Sequence, residues 1–287
     1  MPELPEVEVI SRQLNKSLTG LIIKSFECNW VKMIKPLGLI KFKKKILGQK
    51  VLDVKRRAKV ILINFKNGHL AIHLKMTGQL VYIPKHGKVI VGGHPIAGLN
   101  NTPNKFTHAS FTFKNGAHLY FNDMRKFGWI KWLEPKEHLE LHKSFGLEGL
   151  SGHAKILEIL LKNRARFPKK SIKGYLLDQT IISGLGNIYA DEVCFMARIL
   201  PSRQVQKITN AEWKNISKFI PQILNKSIRL GGTTFSTYRD GFGRQGSYWK
   251  SRMVYGRAGE KCQRCGSIIK KTIVASRGTS YCSTCQK

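Results

Sequence analysis

The apolar pattern changes period near residue 135, and this change constrains the fold more than any other feature of the chain. Upstream lie short β-type runs at 21–23, 51–54, 60–63, 70–74, 80–83, 109–113 and 119–121. Turn pairs such as Asn67-Gly68 and Asn115-Gly116 separate them, as antiparallel hairpins require. Seven such strands in succession predict a β-sandwich or barrel. Before them, Val7, Ile10, Leu14 and Leu18 mark one face of an amphipathic helix, with Gly20 as its C-cap. Residues 84–105 are rich in Gly, Pro, Asn and His and read as a long loop. Downstream of Pro135 the spacing becomes helical, over 139–150, 154–161, 174–182, 187–197 and 211–230, with Pro221 a point of bending or division in the last. Residues 233–255 read as a mobile loop. The expected fold is α+β and multidomain. A β-sandwich with flanking helices spans 1–135, a linker 136–150, a helical domain 151–240, and a loop with a cysteine-bearing hairpin 241–287.

The last of these regions has its own constraint. Cys262-Gln263-Arg264-Cys265 and Cys282-Ser283-Thr284-Cys285 are separated by sixteen residues. Two such knuckles supply four thiolates for a tetrahedral Zn²⁺. A site filled by four protein ligands leaves no place for a catalytic water, so one structural zinc is expected. The residues between read as a hairpin with its tip at 276–279, carrying Arg277. Cys28 and Cys194 stand alone in apolar surroundings and read as packed thiols, which suits a reducing compartment.

Lys+Arg 50 against Asp+Glu 17 gives a formal charge of +33, which calls for a polyanionic partner. No segment approaches ~18 uninterrupted apolar residues, so a membrane is set aside in favour of nucleic acid in the cytosol. No secretion signal is expected at the N-terminus.

The first eight residues, Met1-Pro2-Glu3-Leu4-Pro5-Glu6-Val7-Glu8, support two readings. As a helix start, Pro5 suits the first turn, and Glu6 and Glu8 complement the helix dipole. As a reactive site, removal of Met1 would expose the secondary amine of Pro2, with Glu3 and Glu6 close by. A nucleophilic amine beside a carboxylic acid is the minimum for imine chemistry at a sugar carbon. Gly184-Leu185-Gly186-Asn187 is either a plain helix–helix turn or a backbone cradle for phosphate at a helix N-terminus. Gly241-Phe242-Gly243-Arg244-Gln245-Gly246 matches G-x-G-x-x-G but lacks the preceding strand of a dinucleotide site. His138 and His142 lack the metalloprotease order and are read as solvent-facing. The run 56–59, between two β runs, must send alternate residues toward the core or a cleft.

Together these segments resemble the formamidopyrimidine-DNA glycosylase family over essentially the whole chain. The resemblance is carried by residues 2–8, by Arg56-Arg57-Ala58-Lys59, by His73-Leu74-Lys75-Met76-Thr77-Gly78 and by Asp123-Met124-Arg125-Lys126-Phe127-Gly128. It continues through Gly184-Leu185-Gly186-Asn187-Ile188-Tyr189-Ala190, Val254-Tyr255-Gly256-Arg257 and the cysteine hairpin. It implies a β-sandwich, a helix–two-turns–helix domain and a zinc finger. It also implies excision of oxidised purines such as 8-oxoguanine and formamidopyrimidines, followed by β,δ-elimination at the abasic site. Pro2 is then the nucleophile at C1′, Glu3 the acid at the sugar, and Glu6 an ordering residue. Lys59 assists β-elimination, and Arg277 phosphate binding and δ-elimination. His73, His108, Lys169 and Asn187 would contact DNA. Met76, Arg125 and Phe127 would fill the gap left by the extruded base. The implied partner is double-stranded DNA with oxidised bases or abasic sites, bound by a monomer in the bacterial cytoplasm, at the nucleoid. Ser236 departs from the Lys or Arg of many members, Lys261 stands where proline is frequent, and the 84–105 loop is longer than usual. Two other readings stay open: an endonuclease VIII-type enzyme for oxidised pyrimidines, and a non-catalytic zinc-containing nucleic-acid-binding protein.

Overall fold

In the computed structural model the described residues are 1–86, 89–93, 102–232 and 247–287. They divide into two compact units, Met1–Lys143 with Leu230–Trp249, and Ser144–Arg229 with Lys250–Lys287.

The first unit opens with helix α1 (Leu4–Leu18), then strand β1 (Ile23–Cys28), helix α2 (Leu39–Ile46) and strands β2 (Asp53–Arg57), β3 (Val60–Phe65) and β4 (Gly68–His73). Strands β5 (Gly78–Ile83), β6 (Ile90–Gly93), β7 (Thr107–Phe113), β8 (His118–Asp123) and β9 (Trp129–Leu133) follow, then helix α3 (Pro135–Ser144). Two antiparallel sheets result, ordered β1-β7-β8-β5-β6 and β2-β3-β4-β9. One apolar core draws on both: Phe26, Leu80, Phe111 and Phe121 from the first sheet meet Ile61, Ile63, Leu70 and Ile72 from the second. The predicted sandwich is therefore present.

Helix α1 buries Val7, Ile10, Leu14 and Leu18, as its spacing predicts. It packs against β2 and β6, the edge strands of the two sheets, and so covers backbone that would otherwise stay unpaired. A side chain at Gly92 of β6 would lie 2.7 Å from Ile10, so the close approach of helix and strand needs glycine there.

Several details differ from the sequence reading. The basic run 41–45 lies in α2, whose Phe42 and Ile46 are buried four residues apart, so the lysines occupy its outer face. The 84–105 segment is not wholly loop, because Ile90–Gly93 pairs with β5. The segment 136–150, read as a linker, holds α3 and the short strand β10 (Leu147–Glu148). The helix expected over 139–150 thus stops at Ser144.

The second unit continues with α4 (His153–Arg164), α5 (Ile172–Leu176), β11 (Ile182–Ser183), α6 (Asn187–Met196) and α7 (Asn210–Arg229). A four-residue helix, α8 (Tyr248–Ser251), precedes the hairpin of β12 (Lys270–Val274) and β13 (Arg277–Tyr281). The helix expected over 174–182 is only α5, since the chain turns and β11 pairs in parallel with β10. Pro221 does not divide α7, which is continuous over 20 residues. Buried Tyr175 and Trp213 meet ring to ring at 5.6 Å, and the Tyr175 hydroxyl donates to the Leu160 carbonyl at 2.7 Å. Tyr189 of α6 and Ser227 of α7 share a buried hydroxyl contact of 2.6 Å. Cys194 is buried and Cys28 half-buried. Ser236 and the Gly241–Gly246 motif lie outside the described residues, as does most of the 233–255 loop.

Candidate active site

In the first unit the candidate residues gather from α1 and from strand ends. Pro2, Glu3 and Glu6 are all buried at the start of α1. Glu3 precedes the first helical residue, so its N–H has no partner within the helix. That N–H donates to Glu6 Oε2 at 2.9 Å, which ties the backbone beside Pro2 to the helix. Both readings of this stretch therefore coexist: the helix-start hydrogen bond is also what orders Glu3 next to Pro2.

One turn further along α1, Glu8 accepts from Arg56 Nε at 2.8 Å and from Arg12 Nε at 2.7 Å. Burial pushes the Glu8 carboxyl up, but the hydrogen bonds and charges of Arg56 and Arg12 outweigh it and hold the group below the usual carboxylate range. Arg56 also donates to the carbonyl of Ala58 at 2.8 Å. Ala58 has φ of +51°, a left-handed conformation uncommon outside glycine, and it turns the chain from β2 into β3. Lys59, next in sequence, is buried at 7% exposure. Glu8 and Arg56 thus join the helix bearing Pro2 to the turn bearing Lys59. The sequence alone assigns Glu8 only to the helix dipole and Arg56 only to a basic run; the signal for their pairing is a carboxylate on the first turns of the helix and an arginine three residues before Lys59.

His73 ends β4. Its Nδ1 accepts from the Lys75 N–H at 2.9 Å, so the neutral ring carries its hydrogen on Nε2. Burial, followed by the Lys75 and Lys59 charges, lowers its pKa to about 3, which keeps it an uncharged donor at neutral pH.

Met76 and Phe127 are about half exposed, at 45% and 51%. Arg125 joins them: its Nη1 donates to Met76 Sδ at 3.2 Å, and its guanidinium lies 4.6 Å from the Phe127 ring centroid. Fully buried Asp123 organises the loop beneath. One oxygen accepts from the Thr77 hydroxyl and from Arg125 N–H at 3.2 Å, and the other from Gly128 N–H at 2.7 Å. A side chain on Gly128 would collide with Phe121 at 2.5 Å, so only glycine fits. His108, on β7, donates from Nε2 to the Asp123 carbonyl at 2.9 Å, and burial holds it below the usual imidazole range. Asp123 and Thr77 were visible only as parts of motifs. Their roles depend on strands β5 and β8 lying side by side.

In the second unit, Lys169 is exposed in the connection between α4 and α5. Asn187 is the first residue of α6, and its Nδ2 donates to the Gly278 carbonyl at 3.0 Å. Arg277 stands at the start of β13, paired with Val274. The turn itself is Ala275-Ser276, both at positive φ, so the tip lies just before the position expected from sequence. Beneath it, Lys173 Nζ meets Asp191 Oδ1 at 2.6 Å, both fully buried. Lys173 also donates to Thr279 Oγ1 at 2.7 Å, while Asp191 Oδ2 accepts from Ser280 N–H at 3.0 Å. Burial pushes the Asp191 carboxyl up to about 7 against the pull of Lys173. Buried Glu192 accepts three backbone N–H groups, from Met253, Val254 and Tyr255, at 2.8–2.9 Å. Lys173, Asp191 and Glu192 gave no sequence signal, because charged residues are read as exposed until a fold buries them.

The four thiols of Cys262, Cys265, Cys282 and Cys285 lie within 4.8 Å of one another. Cys262 and Cys285 are 4.0 Å apart, and Cys265 and Cys282 3.5 Å. A tetrahedron with Zn–S bonds of about 2.3 Å has sulfur separations of about 3.8 Å, so the cluster fits this ion.

With the +33 charge, these features fit a nucleic-acid-binding protein that has a cysteine-cluster hairpin and a buried Pro2 ahead of its first helix. Residues 1–130 match the formamidopyrimidine-DNA glycosylase N-terminal domain, 145–239 that family's H2TH domain, and 259–287 the zinc finger found in FPG and IleRS. The chain is 42% identical to the formamidopyrimidine-DNA glycosylase of Pelotomaculum thermopropionicum, over 100% of this chain and 99% of the relative. It superposes on Lactococcus lactis Fpg in complex with abasic-site DNA at a TM-score of 0.85, with 33% identity and 99% of each chain covered. A second L. lactis complex, of the wild-type enzyme with DNA containing an oxidised pyrimidine, gives 0.84 at 32% identity with both chains fully covered. The chain belongs to the formamidopyrimidine-DNA glycosylase family.

Proposed function

We propose that the protein is a DNA glycosylase of base excision repair that removes oxidised purines and then cleaves the abasic site as a lyase. The observation that carries this reading is the ordered start of α1, where Pro2 is buried beside Glu3 and Glu6 holds the Glu3 backbone. Once Met1 is removed, the Pro2 nitrogen attacks C1′ of the damaged nucleotide. The C1′–N bond to the base breaks, and an iminium links protein to sugar. Glu3 supplies the proton at the sugar. Loss of the C2′ proton then expels the 3′ phosphate, with Lys59 at that step, and a second elimination expels the 5′ phosphate, with Arg277. Retained Met1 would leave the Pro2 nitrogen an amide and the protein inactive.

Reaching C1′ requires the nucleotide to leave the stack. The exposed Met76–Arg125–Phe127 group has the chemistry to replace it: two apolar wedges and a guanidinium to face the orphaned base. Asp123 holds the loop that carries Arg125 and Phe127, which supports this reading. His73, His108, Lys169 and Asn187 are the further proposed DNA contacts, and the +33 charge supplies the long-range attraction. Among the described residues no helix is long and apolar enough to cross a membrane. Cys262, Cys265, Cys282 and Cys285 would hold one Zn²⁺, which fixes the Arg277 hairpin and takes no part in the reaction.

Borohydride trapping tests the reading. Wild-type protein lacking Met1 is expected to form a covalent adduct with an 8-oxoguanine duplex, and Pro2→Gly to lose it. Absence of the adduct would leave only a DNA-binding role. The L. lactis complex with an oxidised pyrimidine favours running a pyrimidine lesion in parallel; stronger trapping there would reverse the assigned preference.

A further inference from the structure

We propose that His138 and His142 form a binding site for one borderline divalent transition-metal ion (Ni²⁺, Cu²⁺ or Zn²⁺), separate from the cysteine cluster. The two residues are four apart in α3, so their side chains leave the same face of the helix. Sequence reading left them facing solvent. The structure instead half-buries both and turns their ring edges together, with Nε2 to Nε2 at 3.2 Å, centroids 4.5 Å apart and planes inclined by 66°. An ion bonded to two imidazoles at about 2.1 Å sets the nitrogens about 3.0 Å apart at a right angle and about 3.4 Å at the tetrahedral angle. The observed separation lies between these two values.

A third histidine fixes this geometry from behind. His69 on β4 stacks flat on His138, with centroids 3.8 Å apart and planes 15° from parallel. The His69 ring cannot turn freely, because its Nδ1 lies 2.7 Å from Asn64 Oδ1, and Asn64 Nδ2 donates to Asp53. Asp53 is itself paired with Lys55 at 3.0 Å. A carboxylate, an amide and an imidazole in sequence form the kind of outer shell that orients ligands at metal sites. Here it orients the ring on which His138 rests.

The surroundings select the class of ion. Arg57 donates to the His142 carbonyl at 3.2 Å and Lys143 follows in sequence, while the nearby Asp53 carboxylate is already taken up by Lys55 and Asn64, so the ring edges offer nitrogen donors rather than a carboxylate. Mg²⁺ and Ca²⁺ need oxygen ligands, whereas neutral imidazoles suit Ni²⁺, Cu²⁺ and Zn²⁺. Among the described residues the site offers two nitrogens, one from each imidazole.

Ni²⁺ is the probe, titrated calorimetrically into full-length protein carrying its structural zinc, with zinc content measured before and after. One Ni²⁺ per chain is expected to bind without release of zinc. His138→Gln and His142→Gln should each abolish this uptake while keeping the melting temperature, since glutamine is a good helix former at a partly exposed position. His69→Leu, which removes the stacked ring but neither ligand, is expected to weaken uptake by about tenfold. If a variant melts early, selective Ni²⁺ broadening of the His138 and His142 ring resonances in the wild type decides instead. No uptake, uptake matched by zinc release, or uptake undiminished in both glutamine variants would overturn the proposal.

Discussion

The two units hold their proposed catalytic groups in different ways. In the first, Pro2, Glu3 and Glu6 are neighbours in sequence, ordered by the Glu3 N–H donating to the Glu6 carboxylate at the start of a helix. Lys59 joins them through the partly solvated Glu8–Arg56 pair and the left-handed Ala58 turn. In the second, Arg277 stands on a short hairpin with little core of its own. Its position depends on four thiols and on a fully buried Lys173–Asp191 pair, whose Lys173 bonds Thr279 more than a hundred residues away. A helix start tolerates loss of one contact, because the helix persists through its buried stripe. A small hairpin tied by metal and one buried pair does not, because little else opposes its unfolding.

The comparison predicts a descending series of effects. The largest follows removal of the metal or Cys282→Ala, which should unfold the hairpin and abolish DNA binding. Strand cleavage and a binding assay in chelator would reveal it, and DNA binding retained by metal-free protein would contradict the contrast. Next, Lys173→Met leaves Asp191 buried without its partner and should cost about 3–5 kcal/mol of stability. A joint Lys173→Met and Asp191→Leu change should recover much of that loss in chemical denaturation. In the first unit, Asp123→Asn places an amide donor against the Gly128 or Arg125 N–H. It should cost about 1–3 kcal/mol and weaken binding to duplexes that need base extrusion more than to plain duplex.

The smallest effect belongs to Glu8→Gln, about 1 kcal/mol once solvent screening of the pair is allowed for. Its pH dependence is distinctive. The folded pKa of Glu8 lies below its ordinary value of 4.5, so the stabilisation is present above that value and is lost as pH falls through the folded one. The gap in melting temperature between wild type and variant should be full well above pH 4.5 and close as the pH falls below it. A gap that stayed constant would remove the ion pair from the account.

Much of the molecule is legible in its sequence where the determinants are local. The α1 stripe, the hairpin turns and the knuckle spacing each lie within a few residues, and each became the expected element. Misreadings arose where long-range pairing decided. The segment at 90–93 became a strand because β5 lay open to pair with it. The segment near 182 left its helix because β10 offered a parallel partner. The lysine run at 41–45 masked a helix, because Phe42 and Ile46 among four lysines are a faint stripe until a core receives them.

The sequence by itself determined the two-part architecture, the tetrathiolate cluster and the placing of a processable proline beside two carboxylates, because period, spacing and adjacency are properties of the chain. Only the tertiary structure decided that Lys173 and Asp191 are buried beneath the hairpin, that Asp123 carries the Arg125 loop, and that three histidines from a strand and a helix meet. Each of these depends on the cost of burying a charge or polar group, and that cost is set by whether a partner arrives from elsewhere in the chain.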